Sequence, residues 1–198
     1  MEANIIYNID CLTGLRNLPD DSIDCCVTSP PYFNLRDYGV SGQIGLEDTP
    51  EQYIQKLVGV FHEVRRVLAP AGTLWVNIGD CYAGSGKGAA NYPDNAMKYK
   101  QGTNRGTVGR SAIVKKFDGY KSKDLIGIPW MLAFALRADG WFLRQDIIWA
   151  KPNPMPESMK DRCTKSHEYI FLLTKSPKYY FDCEAIHEKA VTSGTIPT

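Results

Sequence analysis

Apolar positions along this chain recur every second residue in some stretches and every third or fourth in others, and the changes of period mark its elements. Asn4-Ile5-Ile6-Tyr7-Asn8-Ile9 reads as a first strand ending at Asp10, and Leu12, Leu15 and Leu18 give a short helix stopped near Pro19. Ile23-Asp24-Cys25-Cys26-Val27 is mostly apolar, the pattern of a buried parallel strand. It runs into Thr28-Ser29-Pro30-Pro31-Tyr32, where two prolines without N–H groups cannot continue the ladder. Thr49 is placed to cap a helix with Pro50 in its first turn. The apolar face of that helix is Tyr53, Ile54, Leu57, Val60, Phe61, Val64 and Leu68, and Pro70-Ala71-Gly72 ends it. Thr73 to Ile78 reads as another buried strand, delivering Asn77 and Asp80 at its end. A helix from Leu125 to Leu136 follows, closed by Asp139-Gly140, then a strand from Leu143 to Trp149 entering Lys151-Pro152-Asn153-Pro154. His167 to Leu173 and Tyr179 to Phe181 read as strands separated by Ser176-Pro177. Strands alternating with helices predict an α/β layered fold with a mostly parallel sheet, and the late strands without a helix between them predict an antiparallel end.

At 198 residues the chain is expected to form one domain, residues 1–198, with a core of its own. The formal net charge of +1 argues against a uniformly basic nucleic-acid coat. No apolar run reaches membrane-spanning length, and Met1-Glu2-Ala3-Asn4 is not a secretory signal. Six cysteines without a C-x-x-C spacing fit reduced thiols and a cytoplasmic setting. The three histidines lack the neighbours of a zinc site, so no metal is expected. One segment, about 83–123, is rich in Gly, Ser and Asn and shows no steady period. Its second half carries Arg105, Arg110, Lys115 and Lys116 among other cations, opposed by Asp118 alone. Two compatible readings stand: a solvated, disordered insert, or a basic loop that holds a phosphate backbone beside a site at the same sheet edge.

That site is the strand end at Ser29. At the carboxyl edge of an α/β sheet ligands bind, and here the edge carries a hydroxyl, a rigidly aimed carbonyl and a flat ring, which suits a planar amine. Thr28-Ser29-Pro30-Pro31-Tyr32, preceded by Asp10-Cys11-Leu12 and Leu18-Pro19-Asp20-Asp21-Ser22-Ile23-Asp24, resembles the amino-group DNA methyltransferases, in the permuted class with this motif near the N-terminus. Further matches are Gly72-Thr73-Leu74-Trp75-Val76-Asn77-Ile78-Gly79-Asp80, Asp146-Ile147-Ile148-Trp149-Ala150-Lys151-Pro152-Asn153 and His167-Glu168-Tyr169-Ile170-Phe171. The resemblance implies a Rossmann-like sheet and S-adenosylmethionine as methyl donor to N4 of cytosine or N6 of adenine. It implies catalytic roles for Ser29, Pro30, Pro31 and Tyr32, and cofactor contacts at Asp10, Cys11, Thr28 and Ser29. It implies DNA contacts at Arg36, Arg105, Arg110, Lys115, Lys116, Lys151 and Asn153.

Chemistry agrees with that assignment. An exocyclic base amine is a poor nucleophile because its lone pair is delocalised into the ring. Hydrogen bonds from its N–H groups to the Ser29 hydroxyl and the Pro30 carbonyl would favour a pyramidal nitrogen, while Pro31 fixes the backbone in advance. Tyr32 would stack on a base flipped out of double-stranded DNA. Serine at the head of the motif resembles the N4-cytosine members more than the N6-adenine members. Methylation at cytosine C5 would need a Pro-Cys thiolate, and no cysteine here follows a proline; Cys25 and Cys26 read as small core residues. Asp10 reads equally as a helix cap, Lys151 and Asn153 equally as shapers of the Pro-rich turn, and Tyr169 and Phe171 as core.

The family's glycine-rich cofactor loop has no match in these residues, and Gly84-Ser85-Gly86-Lys87-Gly88 lacks the strand-then-helix context of a nucleotide loop. Without that half the Ser29 strand is expected to present an open edge, and the Asn4 to Ile9 strand has no neighbour. The chain is therefore expected to be a fragment or one half of a split enzyme, with a second chain or further segment supplying the cofactor loop. Two other functions compete: a non-catalytic DNA-binding protein that keeps the base pocket, and methylation of a protein glutamine or an RNA amine.

Overall fold

The computed structural model describes residues 2, 4–84, 117–157 and 159–188. Their helices are α1 (Cys11–Arg16), α2 (Pro50–Val67) and α3 (Ile128–Ala138), and their strands β1 (Ile23–Thr28), β2 (Leu68–Ile78), β3 (Phe142–Ala150) and β4 (His167–Thr174). The strands form one sheet in the order β1-β2-β4-β3. β1 and β2 pair in parallel, whereas β4 is antiparallel to both β2 and β3. Three strands thus run one way and β4 runs against them, so the antiparallel pairs sit at the β3 end as expected.

α2 forms where its sequence marks it. The Thr49 hydroxyl accepts from Gln52 N at 3.2 Å and Pro50 fills the first turn, where its missing N–H costs nothing. Tyr53, Ile54, Leu57, Phe61, Val64 and Val67 are buried along one stripe of the helix. Each fully buried large apolar side chain contributes about 1.5–3 kcal/mol, so this stripe is a main source of the core. It packs with Leu74, Val76 and Ile78 of β2, Phe171 and Leu173 of β4, and Ile128, Leu132 and Leu136 of α3 in one cluster. Phe171 is 1% exposed, and Tyr169 stacks on it with ring centroids 5.8 Å apart, so both belong to the core side of β4.

Several expectations need correcting. Asn4 to Ile9 is not a strand: β1 is the edge of the sheet and pairs with β2 alone, so no neighbour among the described residues completes a ladder for that segment. Ile5, Ile6, Tyr7 and Ile9 are accordingly exposed. For the same reason β1 is not a fully buried strand. Val27 is 78% exposed and Cys25 is exposed, while Cys26 packs against the core, with burial pushing its thiol up to about 11. Pro70-Ala71-Gly72 does not end α2. The helix stops at Val67, Leu68 is already extended (φ −68°, ψ 136°), and the Pro-Ala-Gly stretch lies in β2 at the irregularity in its register with β1. α3 begins at Ile128 rather than Leu125, because Leu125 bridges Tyr82 and Gly127 takes a left-handed turn (φ 85°). Tyr179 to Phe181 is irregular, tied to β2 through Tyr180 N to Ala71 O at 3.0 Å.

Register brings the functional rim together. Ile78 faces Tyr169 and Ala150 faces His167, while β1 ends at Thr28 beside Val76. The carboxyl ends of β1, β2 and β3 and the start of β4 therefore share one edge. Among the described residues no helix is long and apolar enough to cross a membrane.

Candidate active site

Ser29 is exposed at this rim, and Pro30, Pro31 and Tyr32 are half-buried behind it. With Leu35, Arg36 and Tyr38 they line an open cleft of about 270 Å³. The chain leaves β1 at Thr28, where the prolines require it to. Pro31 is then pinned from below: its carbonyl accepts a 2.8 Å bond from the Tyr53 hydroxyl of α2. Burial pushes the Tyr53 phenol far up, so it stays a donor. Among the hydrogen bonds of the described residues the Pro30 carbonyl is not used, and it remains available to a donor in the cleft.

Tyr32 is fixed at both ends of its ring. Its hydroxyl lies 2.9 Å from Asn77 Oδ1 and 2.9 Å from Glu168 Oε2. Its ring lies so close over Gly79 that a Cβ there would come within 2.6 Å of Cε2. Burial, with the Glu168 charge beside it, pushes the phenol up to about 12, the Ser29 hydroxyl acting the other way. Burial raises Glu168 as well, but bonds from Lys151 and Tyr32 outweigh it and hold the carboxyl below the usual carboxylate range. Lys151 Nζ is ion-paired to Glu168 Oε1. Asn77 Nδ2 donates to Tyr169 O at 3.1 Å, which turns Asn77 Oδ1 toward Tyr32.

The loop after the motif is built as a wall of the cleft. Asn34 N donates to Gly45 O at 2.6 Å and Gly45 N to Glu47 Oε2 at 2.8 Å, and the buried Glu47 pairs with Lys56 at 2.9 Å. Gln43 ties the loop across, accepting from Tyr38 N at 2.7 Å and donating to Arg36 O at 2.9 Å. Asp80, which follows β2, accepts from Cys81 N, Gly127 N and Ile128 N at 2.9–3.0 Å. It thereby caps the start of α3 from outside the helix and holds the β2 end in place.

The cofactor candidates divide. Asp10 and Cys11 are exposed and line a separate cleft of about 790 Å³ with Tyr7, Ile9, Leu15 and Leu18 among its walls. This cleft and the Ser29 cleft share no lining residue. Asp10 is the cap of α1: its Oδ1 accepts from Thr13 N at 3.0 Å and from the Thr13 hydroxyl at 3.2 Å. The bond from the Thr13 N–H, opposed by a smaller burial effect, holds the carboxyl below its usual range. Mostly apolar walls with Glu2 and Asp10 as charged acceptors fit the adenosine part of S-adenosylmethionine. Thr28 is half-buried at the β1 end.

The expected DNA contacts also divide. Arg36 is exposed on the cleft loop and Asn153 is exposed in the turn after β3. Lys151 is engaged by Glu168 instead of standing free. Arg105, Arg110, Lys115 and Lys116 lie outside the described residues. Sequence reasoning gave no role to Tyr53, Gly79 or Glu168. Gly79 and Glu168 stand inside the motifs that carry the family resemblance; nothing local marks Tyr53, whose helical position reads as core. Among the described residues no cluster of His, Cys, Asp and Glu could hold a metal ion.

A family model for DNA methylases matches residues 23–194, which contain all of this rim. This chain belongs to the DNA methylase family. Among its relatives, the Type II methyltransferase M.Cfr9I of Citrobacter freundii is 52% identical over 189 residues, covering 96% of this chain and 60% of that protein. The Type II methyltransferase M.SmaI of Serratia marcescens is 51% identical over 185 residues, covering 91% and 59% respectively. The methylase chain thus spans about 60% of the length of the curated relatives it matches. Its fold resembles that of the cytosine-N4-specific PvuII DNA methyltransferase, with TM-score 0.59 and 17% identity over 91% of this chain and 52% of that one. A DNA modification methylase from Thermus thermophilus, named as putative and complexed with S-adenosyl-L-methionine, gives TM-score 0.55 at 22% identity, covering 89% and 55%. At these identities the likeness is one of fold.

Proposed function

We propose that this chain carries the base-binding side of a DNA methyltransferase that moves a methyl group from S-adenosylmethionine to the exocyclic amine of a flipped base, N4 of cytosine by preference. One observation carries the reading: Ser29 and Pro30, whose carbonyl no hydrogen bond among the described residues uses, line an open cleft with Tyr32 held as its wall. The amine donates one N–H to Ser29 Oγ and the other to Pro30 O, which localises the lone pair on nitrogen. These groups are aimed before substrate arrives, since Tyr53 and the two prolines fix the backbone. S-adenosylmethionine, when bound, would supply the electrophilic methyl, its S–CH3 bond breaking as the N–CH3 bond forms, the neutral thioether leaving and the nitrogen shedding one proton to solvent. Asp10 and Cys11 on one side and Thr28 and Ser29 on the other are the residues assigned to it. Its remaining contacts are assigned to a glycine-rich loop on a further segment or a second chain, as the permuted order of the family implies. The share of the curated relatives that this chain spans supports that division.

Arg36 on the cleft loop and the basic positions Arg105, Arg110, Lys115 and Lys116 are assigned to the phosphate backbone. The serine at position 29 supports cytosine over adenine as target. Incubating the chain with labelled S-adenosylmethionine and mixed DNA, then digesting to nucleosides, tests the whole reading. Label in N4-methylcytosine is the expected result. Label in N6-methyladenine corrects the base. Label absent both from DNA and from a mixture with the remaining segment overturns the activity and leaves a DNA-binding fragment.

A further inference from the structure

The Lys151–Glu168–Tyr32 chain does not belong to the chemistry derived above, and Lys151 is ion-paired within it. Trp149 faces Glu168 in the β3–β4 register, so Lys151, two residues on, lies diagonally beside Glu168 on the same face. Its backbone is fixed there by Lys151 N to Ser166 O at 2.7 Å. The ammonium meets Glu168 Oε1 while Glu168 Oε2 meets the Tyr32 hydroxyl. Asn77 Oδ1 is an acceptor, because its amide nitrogen is already donating to Tyr169 O. The Tyr32 hydroxyl therefore has one proton and two acceptors, and a charged carboxylate is the stronger of the two. With Gly79 under the ring and Glu168 at its far end, the ring plane is defined at two points.

We propose that Glu168 and Lys151 are positioning residues of the base pocket: Lys151 keeps Glu168 in place, and Glu168 holds the Tyr32 ring at the angle that a flipped base stacks on. This rests on the reading of the Ser29 cleft as a base site. Remove the lysine, and a carboxylate only 21% exposed at its side chain loses its counter-charge. It then turns to solvent and releases the hydroxyl. The Tyr32 hydroxyl keeps Asn77 and the Ser29 hydroxyl as neighbours but loses its charged anchor, and the ring gains freedom about its χ angles.

Three measurements test the proposal, on Lys151→Met, Glu168→Ala, Glu168→Gln and Tyr32→Ala, each first checked for a cooperative thermal transition. In the free chain, NMR should show a slowly exchanging Tyr32 hydroxyl proton, identified by its loss in Tyr32→Phe. That proton should exchange much faster in Lys151→Met and Glu168→Ala and be partly rescued in Glu168→Gln, whose amide oxygen still accepts. Unchanged exchange in both Lys151→Met and Glu168→Ala overturns the clamp. The second measurement uses a duplex with 2-aminopurine at the base methylated in the nucleoside assay. Wild type should quench it by stacking, Tyr32→Ala should leave it bright, and Lys151→Met and Glu168→Ala should be several-fold brighter than wild type. The double variant should be no brighter than Glu168→Ala alone, as expected for one chain of contacts. A salt dependence of DNA binding that is unchanged in Lys151→Met agrees with this role; a slope reduced by about one assigns Lys151 to a phosphate instead and overturns it. Should wild type and Tyr32→Ala fluoresce alike, the base-site reading fails and takes the positioning role with it. If those two differ but Lys151→Met matches wild type, only the positioning role fails.

Discussion

Replacing Gly79 with alanine plants a methyl group in space that the Tyr32 ring occupies. The added Cβ would lie 2.6 Å from Tyr32 Cε2 and 2.9 Å from Cδ2. Ordinary carbon–carbon contact is about 3.5–4.0 Å, so ring or strand must move by roughly 1 Å. The ring has little freedom to do so, because its hydroxyl is held at 2.9 Å by both Asn77 and Glu168 and the preceding carbonyl is held by Tyr53. Overpacking of this kind costs about 1–3 kcal/mol. In a chain of this size each kcal/mol lowers the melting temperature by about 2–4 °C, which predicts a fall of about 2–12 °C by calorimetry. Methyl transfer, measured on whichever assembly is active, should fall by up to about 100-fold, the cost of a 1 Å misplacement. The decisive comparison is the same substitution in a Tyr32→Ala background. There the clash has no partner, and Gly79→Ala becomes neutral or stabilising by about 0.4–1 kcal/mol through the unfolded chain. An equal penalty in both backgrounds, or none in wild type, would refute the packing argument.

Other substitutions follow from the same contacts. Tyr53→Phe leaves the Pro31 carbonyl without its 2.8 Å donor and should cost about 1–3 kcal/mol of unfolding free energy in a urea titration; a loss below a few tenths would show that water replaces the phenol. Asp80→Ala strips an acceptor from three N–H groups and should cost about 1–3 kcal/mol, whereas Asp80→Asn keeps an oxygen there and should lose clearly less; equal losses count against the cap. Glu168 has a folded pKa below its ordinary value of 4.5, because Lys151 and Tyr32 outweigh burial. Its contribution is therefore full above that value and is lost as pH falls through the folded pKa. The melting-temperature gap between wild type and Glu168→Gln should be constant near neutrality and shrink below pH 4.5; a gap that widens toward acid contradicts the sign.

What could be read from the sequence was local. Thr49 and Pro50 announce α2 because a cap and a first-turn proline act within one turn, and two prolines end β1 because they lack N–H groups. What could not be read depends on pairing. Asn4 to Ile9 has strand composition but no neighbour, and a strand is defined by its ladder rather than by its residues. Pro70-Ala71-Gly72 has the composition of a helix stop, yet a register irregularity between β1 and β2 absorbs it. Lys151 and Glu168 are seventeen positions apart and meet only because β3 and β4 pair with Ala150 opposite His167. Spacing alone does not disclose such a register.

The geometry of Tyr32 is consequently a property of the whole sheet. Its ring rests on Gly79 just past β2, its hydroxyl is shared between β2 and β4, and its preceding carbonyl hangs from α2. None of these anchors lies within twenty residues of the motif. A peptide spanning β1 and the motif would keep the prolines but lose every one of them, so it should bind a base no better than any tyrosine-containing peptide. Conversely, weakening the β2–β4 ladder should free the Tyr32 hydroxyl before the chain unfolds, because Asn77 and Glu168 sit at the open end of that pairing, where fraying begins. Stability of the sheet and order at the pocket are then linked in one direction. A variant can lose the pocket and keep the fold, but it cannot lose the fold and keep the pocket.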